Sequence, residues 1–124
     1  MEYKEEDNWR LIRNPEKGKY CFLIGVNQWS IELQNHEFLS LFKCLNTLIN
    51  QLMELEIHLM DEELINLEFE RLPWYAELEG AKNKWSLRII FESNDETRSF
   101  EMFWPSSIAK NLFFEMRKMW ESMH

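Results

Sequence analysis

Glycine, proline, cysteine and histidine are all scarce. This chain of 124 residues contains three glycines, three prolines, two cysteines and three histidines. So few glycines make a phosphate-cradling loop hard to build, and the sequence has no P-loop, GxGxxG or GxSxG motif. It has no CxxC pair either, and His36 and His124 lie far from the third histidine, His58. The sequence therefore predicts no cofactor site and no catalytic residue, and we expect the protein not to be an enzyme.

The two cysteines, Cys21 and Cys44, fall in apolar segments that are a predicted strand and a predicted helix. A free cysteine in such surroundings behaves as a small hydrophobic residue. Apolar surroundings raise the pKa of a thiol, so neither cysteine is expected to be a nucleophile. We predict no disulfide between them.

Long apolar runs are missing, and so is an excess of positive charge. The longest apolar runs are far shorter than the roughly 20 residues that a membrane-spanning helix needs. The N-terminus reads MEYKEEDN, which is acidic and unlike a secretory signal, so we expect a cytoplasmic protein. The 14 Lys and Arg against 22 Asp and Glu give a net charge of −8, which disfavours nucleic acids and anionic membranes as partners.

Apolar and aromatic residues are plentiful, since they make up 45% and 15% of the chain. A chain of this length and composition can bury a core without disulfides. We predict a mobile acidic tail over residues 1–8 and a single α+β domain over residues 9–124.

One stretch, from Asn35 to about Glu63, has the periodicity of a long helix. A helix of about 24 residues would be ~36 Å long and would form the spine of the core. Asp61, Glu62 and Glu63 oppose the helix dipole, so the helix either stops near Leu59 or these carboxylates have partners elsewhere. The apolar residues recur in alternating steps of three and four, which places them on one face: Phe38, Leu41, Leu45, Leu48, Leu52, Leu55 and Leu59.

Alternating apolar and polar residues predict three strands before the helix and four after it. The predicted strands are Trp9–Arg13, Tyr20–Gly25, Trp29–Leu33, Leu64–Glu70, Trp74–Glu79, Trp85–Glu92 and Arg98–Trp104. Short turns, including one predicted at 93–96, indicate that the last four form an antiparallel meander. Pro105, Ser106 and Ser107 then mark the start of a second amphipathic helix.

This order predicts an α+β fold with antiparallel sheets and two helices. A strand-meander-then-helix unit is used twice, and the first copy is one strand short. The longer helix is expected to pack across the sheet.

His58 belongs to the most conspicuous polar cluster of the chain. If the helix continues, His58 faces Asp61 at i+3 and Glu62 at i+4, a spacing that can supply metal ligands. No HExxH motif and no second nearby histidine completes a site. A solvated or salt-bridged face is the more ordinary interpretation, and a metal or hydrolytic site at these three residues is the alternative.

Carboxylates also occupy outward positions of the predicted strands. Alternation alone predicts such an arrangement, so it does not indicate general acid–base catalysis. The arginines Arg10, Arg13, Arg71, Arg88 and Arg98 are expected to pair with them across strands. The carboxylates are Glu32, Glu68, Glu70, Glu77, Glu79, Glu92 and Glu101.

The six tryptophans lie at strand and helix positions that typically face a core. A base-stacking platform is the alternative, but such a platform normally lies in a basic groove. Exposed residues of the second helix, such as Met116, Met119 and Trp120, are expected instead to serve a protein contact or a homo-oligomer.

Two segments stand out as specific, Leu59-Met60-Asp61-Glu62-Glu63 and the W-x-x-E-L pattern from Trp74 to Leu78. With other positions from Asn8 onward, they resemble a small cyanobacterial family of unknown function, the domain-of-unknown-function 1818 type. Those positions include Trp9-Arg10-Leu11, Leu23-Ile24-Gly25, Trp29 to Leu33, Glu37, Ile65, Gly80, Ser86-Leu87-Arg88, Arg98, Glu101 and Trp104-Pro105.

The resemblance implies a fold similar to that of the whirly-like, single-stranded-DNA-binding transcriptional regulators. Those proteins are built from units of four antiparallel strands and one helix. Their basic DNA-binding strand has no counterpart here, because Lys17-Gly18-Lys19 is only a loop fragment. No binding residue is therefore carried over from them.

We expect a non-catalytic protein-interaction or assembly module whose partner is another protein or a second copy of the chain. A single-stranded nucleic-acid-binding regulator is the alternative that the resemblance implies. For the segment 60–63 the first expectation is structural, either capping the turn or pairing with Arg71 or Arg88. The residues expected at the contact are Trp29, Glu32, Asp61, Glu62, Glu63, Trp74, Arg88 and Trp104.

Overall fold

The computed structural model describes residues 1–93 and 98–124. The turn predicted at 93–96 falls largely on residues 94–97, outside these ranges. In chain order the elements are β1 (Glu2–Glu6), β2 (Trp9–Arg13), β3 (Phe22–Val26), β4 (Trp29–Leu33), α1 (Asn35–Leu55), β5 (Ile65–Arg71), β6 (Trp74–Ala81), β7 (Lys84–Glu92), β8 (Ser99–Trp104) and α2 (Ala109–Ser122).

The strands form two antiparallel sheets of four strands each, with orders β1-β2-β3-β4 and β5-β6-β7-β8. Each sheet is a meander, because strands that are neighbours in the chain are also neighbours in the sheet. Each sheet is followed in the chain by a helix. The predicted α+β fold, with a sheet-then-helix unit used twice, is therefore confirmed.

The first sheet contains one strand that the sequence pattern did not indicate. We predicted a mobile tail over residues 1–8, which is wrong, because Glu2–Glu6 form β1 and pair antiparallel with β2. Glu2 lies opposite Arg13, and Arg13 Nη1 is 3.0 Å from Glu2 Oε1. Four of the five residues of β1 are exposed, so the strand lacks the apolar alternation of a half-buried strand. The first copy of the repeated unit is therefore complete.

By its contacts the chain divides into two compact units, residues 1–42 with 111–124 and residues 43–110. Both helices contain residues of both units, since the divisions fall within α1 and near the start of α2. The single domain over residues 9–124 stays a prediction.

The first unit buries aromatic side chains from its sheet and from the start of α1. The ring of Phe22 stacks on that of Phe38, with centroids 3.9 Å apart. The ring of Phe42 stacks on Trp120 of α2 at 4.9 Å. Glu37 Oε1 accepts a hydrogen bond of 2.8 Å from the backbone N–H just before the helix, which satisfies a donor that the helix leaves unpaired.

α2 begins at Ala109, after a turn in which the N–H groups of Ile108 and Ala109 both donate to the Pro105 carbonyl. The expectation that Met116 and Met119 are exposed is wrong, because both side chains are buried. They share the apolar stripe of α2 with Leu112 and Phe113, and helical spacing directs that whole stripe into the core.

The second sheet has one buried face and one outward face. The buried face carries Trp74, Ala76, Leu78, Trp85, Leu87, Ile89, Phe91, Met102 and Trp104. The Trp74 ring packs on the Phe91 ring, with centroids 4.7 Å apart. Trp9, Trp74, Trp85 and Trp104 are all buried, which confirms the core interpretation for four of the six tryptophans.

α1 ends at Leu55 and is followed by a 3-10 turn, Glu56–His58. Leu59 is extended, with φ −98° and ψ 138°, so the helical course ends at Leu59, one of the two outcomes predicted. The stripe is buried from Phe38 to Leu52 and exposed at Leu55. Of the helices in the described ranges, none is long and apolar enough to cross a membrane.

Candidate functional site

A groove with a volume of about 800 Å³ lies on the second unit. All four strands of the second sheet contribute to it, together with the residues just before β5 and just after β8. We call it the sheet groove. Its lining is Leu64, Ile65, Asn66, Glu79, Gly80, Ala81, Lys84, Ser86, Phe103, Pro105 and Ser106.

The strand register assembles the polar part of the sheet groove. Asn66 lies opposite Glu79, and Glu79 lies opposite Ser86, so the three residues form a row across β5, β6 and β7. Asn66 Nδ2 donates to Glu79 Oε1 at 3.1 Å, and Ser86 Oγ donates to the Glu79 carbonyl at 3.4 Å. These bonds hold polar side chains across the middle of the groove.

Two large apolar side chains line the sheet groove and are open to solvent. Leu64 is 83% exposed and Phe103 is 53% exposed. Phe103 is exposed because it occupies an outward position of β8, opposite Arg88. We call Leu64 and Phe103 the apolar rim. Both side chains line one groove, and exposed apolar side chains that line a groove are typical of interaction sites, whereas single scattered ones are not.

Lys82 fixes the chain that enters β5. Its Nζ donates to the Leu59 carbonyl at 3.0 Å and lies 3.3 Å from Asp61 Oδ1. Lys82 stands in the β6–β7 turn, next to the groove residue Ala81. The segment that follows the 3-10 turn is therefore held against the hairpin at the end of the sheet groove.

Glu63 closes the turn that Lys82 anchors. Its Oε1 accepts from the Met60 N–H at 3.3 Å, while the Glu63 N–H donates to the Met60 carbonyl at 3.1 Å. The expected capping role of the acidic segment is therefore confirmed for Glu63. The expected pairing with Arg71 or Arg88 is wrong for Asp61, which meets Lys82 instead. The partner is a lysine because the chain turns back toward the β6–β7 hairpin.

Gly80 lines the sheet groove in a conformation that L-residues rarely adopt, with φ +141°. A Cβ at this position would lie 2.5 Å from the Lys84 carbonyl oxygen and 2.7 Å from Trp85 Cα. Both neighbours are backbone atoms, which cannot swing aside as a side chain can. The hairpin that bounds the groove therefore needs glycine here.

Two carboxylates lie side by side next to the groove. Glu68 and Glu77 are opposite each other in β5 and β6, an arrangement that like charges disfavour. The Tyr75 hydroxyl is 2.6 Å from Glu68 Oε2 and 3.2 Å from Glu77 Oε2. The hydrogen bond to Glu68, followed by burial and the negative charge of both carboxylates, raises the pKa of Tyr75.

The outward positions of the second sheet are strongly acidic. The cations at outward positions of these described strands are Lys84 and Arg88, and Arg88 Nε pairs with Glu101. This pair confirms one of the predicted cross-strand contacts. We call this surface the acidic face, and its carboxylates are Glu68, Glu70, Glu77, Glu79, Glu92 and Glu101.

The residues predicted at the contact lie in different parts of the structure. Asp61, Glu62 and Glu63 are exposed and lead directly into Leu64 of the groove, and Arg88 lies on the acidic face. Trp29 and Glu32 lie on β4 of the other sheet, where Glu32 pairs with Lys17.

Trp74 and Trp104 were wrongly predicted to be contact residues. Both are completely buried, because they take the inward positions of β6 and β8. A partner cannot touch them without unfolding the sheet. Their neighbours on the outward side, Tyr75 and Phe103, are the residues that a partner can reach.

The metal hypothesis at His58, Asp61 and Glu62 loses its geometric basis. It required a helix through Glu62, whereas Leu59 is extended and residues 60–63 form a turn. Helical i+3 and i+4 neighbours of His58 therefore do not exist. Within residues 1–93 and 98–124, no group of three His, Cys, Asp or Glu side chains could hold a metal ion.

The apolar rim was not predicted from the sequence, although one signal for Phe103 was present. The alternation of β8 directs Met102 and Trp104 inward, which puts Phe103 outward among polar residues. An aromatic residue at an outward strand position is unexpected for a solvated face. Leu64 carried no such signal, since it was assigned to the first position of a strand.

A family model described as a domain of unknown function (DUF1818) matches residues 4–119. The match spans nearly the whole chain, from within β1 to the last turns of α2. The chain belongs to this family.

A solved structure from Prochlorococcus sp. NATL2A has a similar fold, with a TM-score of 0.89. The two chains are 36% identical, and the similarity covers 97% of this chain and 99% of that one. The neighbour, determined at 1.80 Å resolution, is described as a protein of unknown function from the DUF155 family. A comparison with curated proteins returned no match.

Proposed function

We propose that the protein is a non-catalytic interaction module that binds a polypeptide segment of a partner protein in the sheet groove. The observation that carries the proposal is the apolar rim, with Leu64 and Phe103 exposed beside a groove of about 800 Å³. A fold that leaves large apolar side chains in water forgoes roughly 1.5–3 kcal/mol for each one that could be buried. A partner that covers them recovers part of that free energy.

The dimensions of the groove also support a ligand. Its volume lies in the range of about 300–1,000 Å³ that is typical of binding pockets, and its lining mixes apolar and polar groups. The Asn66–Glu79 hydrogen bond orders one side of the lining before any partner arrives. Preformed sites lose less entropy on binding.

A partner other than a second copy of the chain fits the surroundings better. A two-fold symmetric dimer would place the same patch of each chain against the other. The acidic face borders the groove, so a dimer formed here would bring two sets of carboxylates together. The burial of Met116 and Met119 also removes two of the three side chains through which a homo-oligomer was first expected.

The order of the strands and helices also supports a finer fold class. We propose a whirly-like fold, supported by two successive units of four antiparallel strands and one helix. The resemblance also supports a cyanobacterial source, and the two free cysteines, Cys21 and Cys44, are compatible with a cytoplasmic location. Nucleic-acid binding gains no support, since the acidic face repels phosphates.

Selection from a phage-displayed library of random peptides tests the proposal. The immobilised full chain should enrich peptides that bind less well to Phe103→Thr, a change that keeps a strand-forming residue. Ile57→Thr is the matched control, because Ile57 is also exposed and apolar but does not line the groove. Failure to enrich any peptide, or equal loss of binding in both variants, would contradict the proposal.

A further inference from the structure

We infer that the partner segment is cationic: lysine or arginine side chains alternate with apolar ones, the apolar side chains enter the sheet groove and the cations meet the acidic face. This inference rests on the proposed function and adds the chemistry of the partner. It follows from the charge beside the groove and from the spacing of the strands.

The inference rests on three carboxylates of the acidic face, Glu79, Glu77 and Glu68. Glu79 lines the groove itself. Glu77 is two residues earlier in β6, on the same side of the sheet, with Glu68 opposite it. Residues two apart in a strand are separated by about 6.6–6.8 Å, so these carboxylates lie within reach of one partner segment.

The protein's own cations leave this negative charge largely uncompensated. Arg88 lies opposite Glu77 on β7, but its Nε pairs with Glu101, and Lys82 pairs with Asp61 and the Leu59 carbonyl. Lys84 lines the groove in the first position of β7, four residues before Arg88 and so about 13 Å along the strand from the level of Glu77. A cationic partner supplies positive charge, of which the described part of this face has little.

The negative charge is most concentrated at Glu68 and Glu77. Their opposition across β5 and β6 is unfavourable, and a single hydroxyl, that of Tyr75, lies against both. A hydroxyl has one proton to donate, whereas each carboxylate can accept about four hydrogen bonds. An ammonium or guanidinium group placed here would attract both carboxylates at once and would have acceptors for several of its N–H groups.

The spacing of an extended peptide matches the spacing of the two rows. One row, through Asn66, Glu79 and Ser86, crosses the groove, and the next row contains Glu68 and Glu77. Side chains on one side of an extended segment recur every two residues, at about 6.6–6.8 Å. An apolar side chain over the first row therefore places a basic side chain two positions along, over the row of Glu68 and Glu77.

Fluorescence anisotropy with three labelled peptides tests the inference. The peptides share the same leucines, and the remaining alternate positions are all lysine, all serine or all glutamate. The lysine peptide should bind most tightly, and its affinity should fall as salt is added, because exposed ion pairs are screened. The Glu77→Gln/Glu79→Gln variant should bind it roughly two- to five-fold more weakly for each carboxylate removed, the range for exposed ion pairs.

The matched control is Glu16→Gln/Glu54→Gln, which changes the net charge equally at exposed sites that do not line the groove. Circular dichroism confirms that each variant is folded. Equal binding of the lysine and serine peptides, lost in Phe103→Thr, overturns the inference and leaves the proposed function standing. An equal loss in the control variant also overturns it, because net charge alone would then explain the attraction. No binding by any peptide contradicts both.

Discussion

Lys82 and Asp61 form an ion pair of very unequal exposure: Nζ and Oδ1 are 3.3 Å apart, with the lysine side chain 21% exposed and the aspartate side chain 86% exposed. Because Asp61 is almost fully hydrated, its charge is well screened and contributes little. The same lysine also donates to the Leu59 carbonyl at 3.0 Å. The backbone bond, rather than the ion pair, therefore carries most of the stabilisation.

Substitution at Lys82 should consequently cost more than substitution at Asp61. Lys82→Met retains the aliphatic stem but removes the bond to the Leu59 carbonyl, and we expect a loss of about 1 kcal/mol in the free energy of unfolding. Asp61→Asn should cost less than ~0.5 kcal/mol. Urea denaturation of both variants measures the difference. A larger effect at Asp61 would contradict this division of the energy.

Gly80→Ala should disrupt the β6–β7 hairpin. The backbone has φ +141°, and the new Cβ would approach the Lys84 carbonyl oxygen to 2.5 Å, so strain and overlap act together. We expect a loss of at least about 2 kcal/mol in unfolding free energy. Gly18→Ala is the control, since Gly18 also has positive φ, +92°, but a Cβ there meets nothing within 4 Å. Chemical denaturation should rank Gly80→Ala as clearly more damaging than the control.

The parts of the fold that were predicted correctly are those that local periodicity determines. β5 to β8 alternate apart from outward apolar residues such as Ile90 and Phe103, and α1 has a clear apolar stripe up to Leu52. β1 was missed because Glu2–Glu6 is held by pairing to β2 and not by burial of its own side chains. A strand of that kind leaves almost no trace in local hydrophobicity.

The sheet groove could not be predicted because it depends on which residues the register brings together. Leu64 and Phe103 are distant in the chain, and alternation gives the side of the strand but not its neighbour. The contact of Lys82 with the Leu59 carbonyl spans 23 positions and is likewise invisible to periodicity. Asp61, Glu62 and Glu63 were predicted at a contact because their segment carries the family resemblance, and periodicity gave no reason for it.

Tyr75 makes stability dependent on pH in the alkaline range. Its hydrogen bond to Glu68 raises the pKa in the folded state above the ordinary value of 10.0. The unfolded chain therefore loses this proton first, and the stabilisation that is complete below about pH 10 declines as the pH rises further. Tyr75→Phe should flatten this part of the stability curve, measured by urea denaturation at several pH values. A decline of the same size in the variant would rule out Tyr75 as its source.

The two cysteines should differ in reactivity. Burial, the larger effect, raises the pKa of the Cys44 thiol to about 11, against a smaller opposing effect from the Arg71 backbone N–H. Its Sγ also lies 3.8 Å from the Phe69 carbonyl oxygen, between α1 and β5. At pH 8 only roughly a thousandth of such a thiol is ionised, and iodoacetamide must also reach it. We expect the half-buried Cys21 to be alkylated first and Cys44 to react only as the protein unfolds, as followed by peptide mass spectrometry. Equal rates in the native protein would show that β5 separates from α1 readily, whereas unchanged Cys21 labelling in Cys44→Ala would confirm that the two sites react independently.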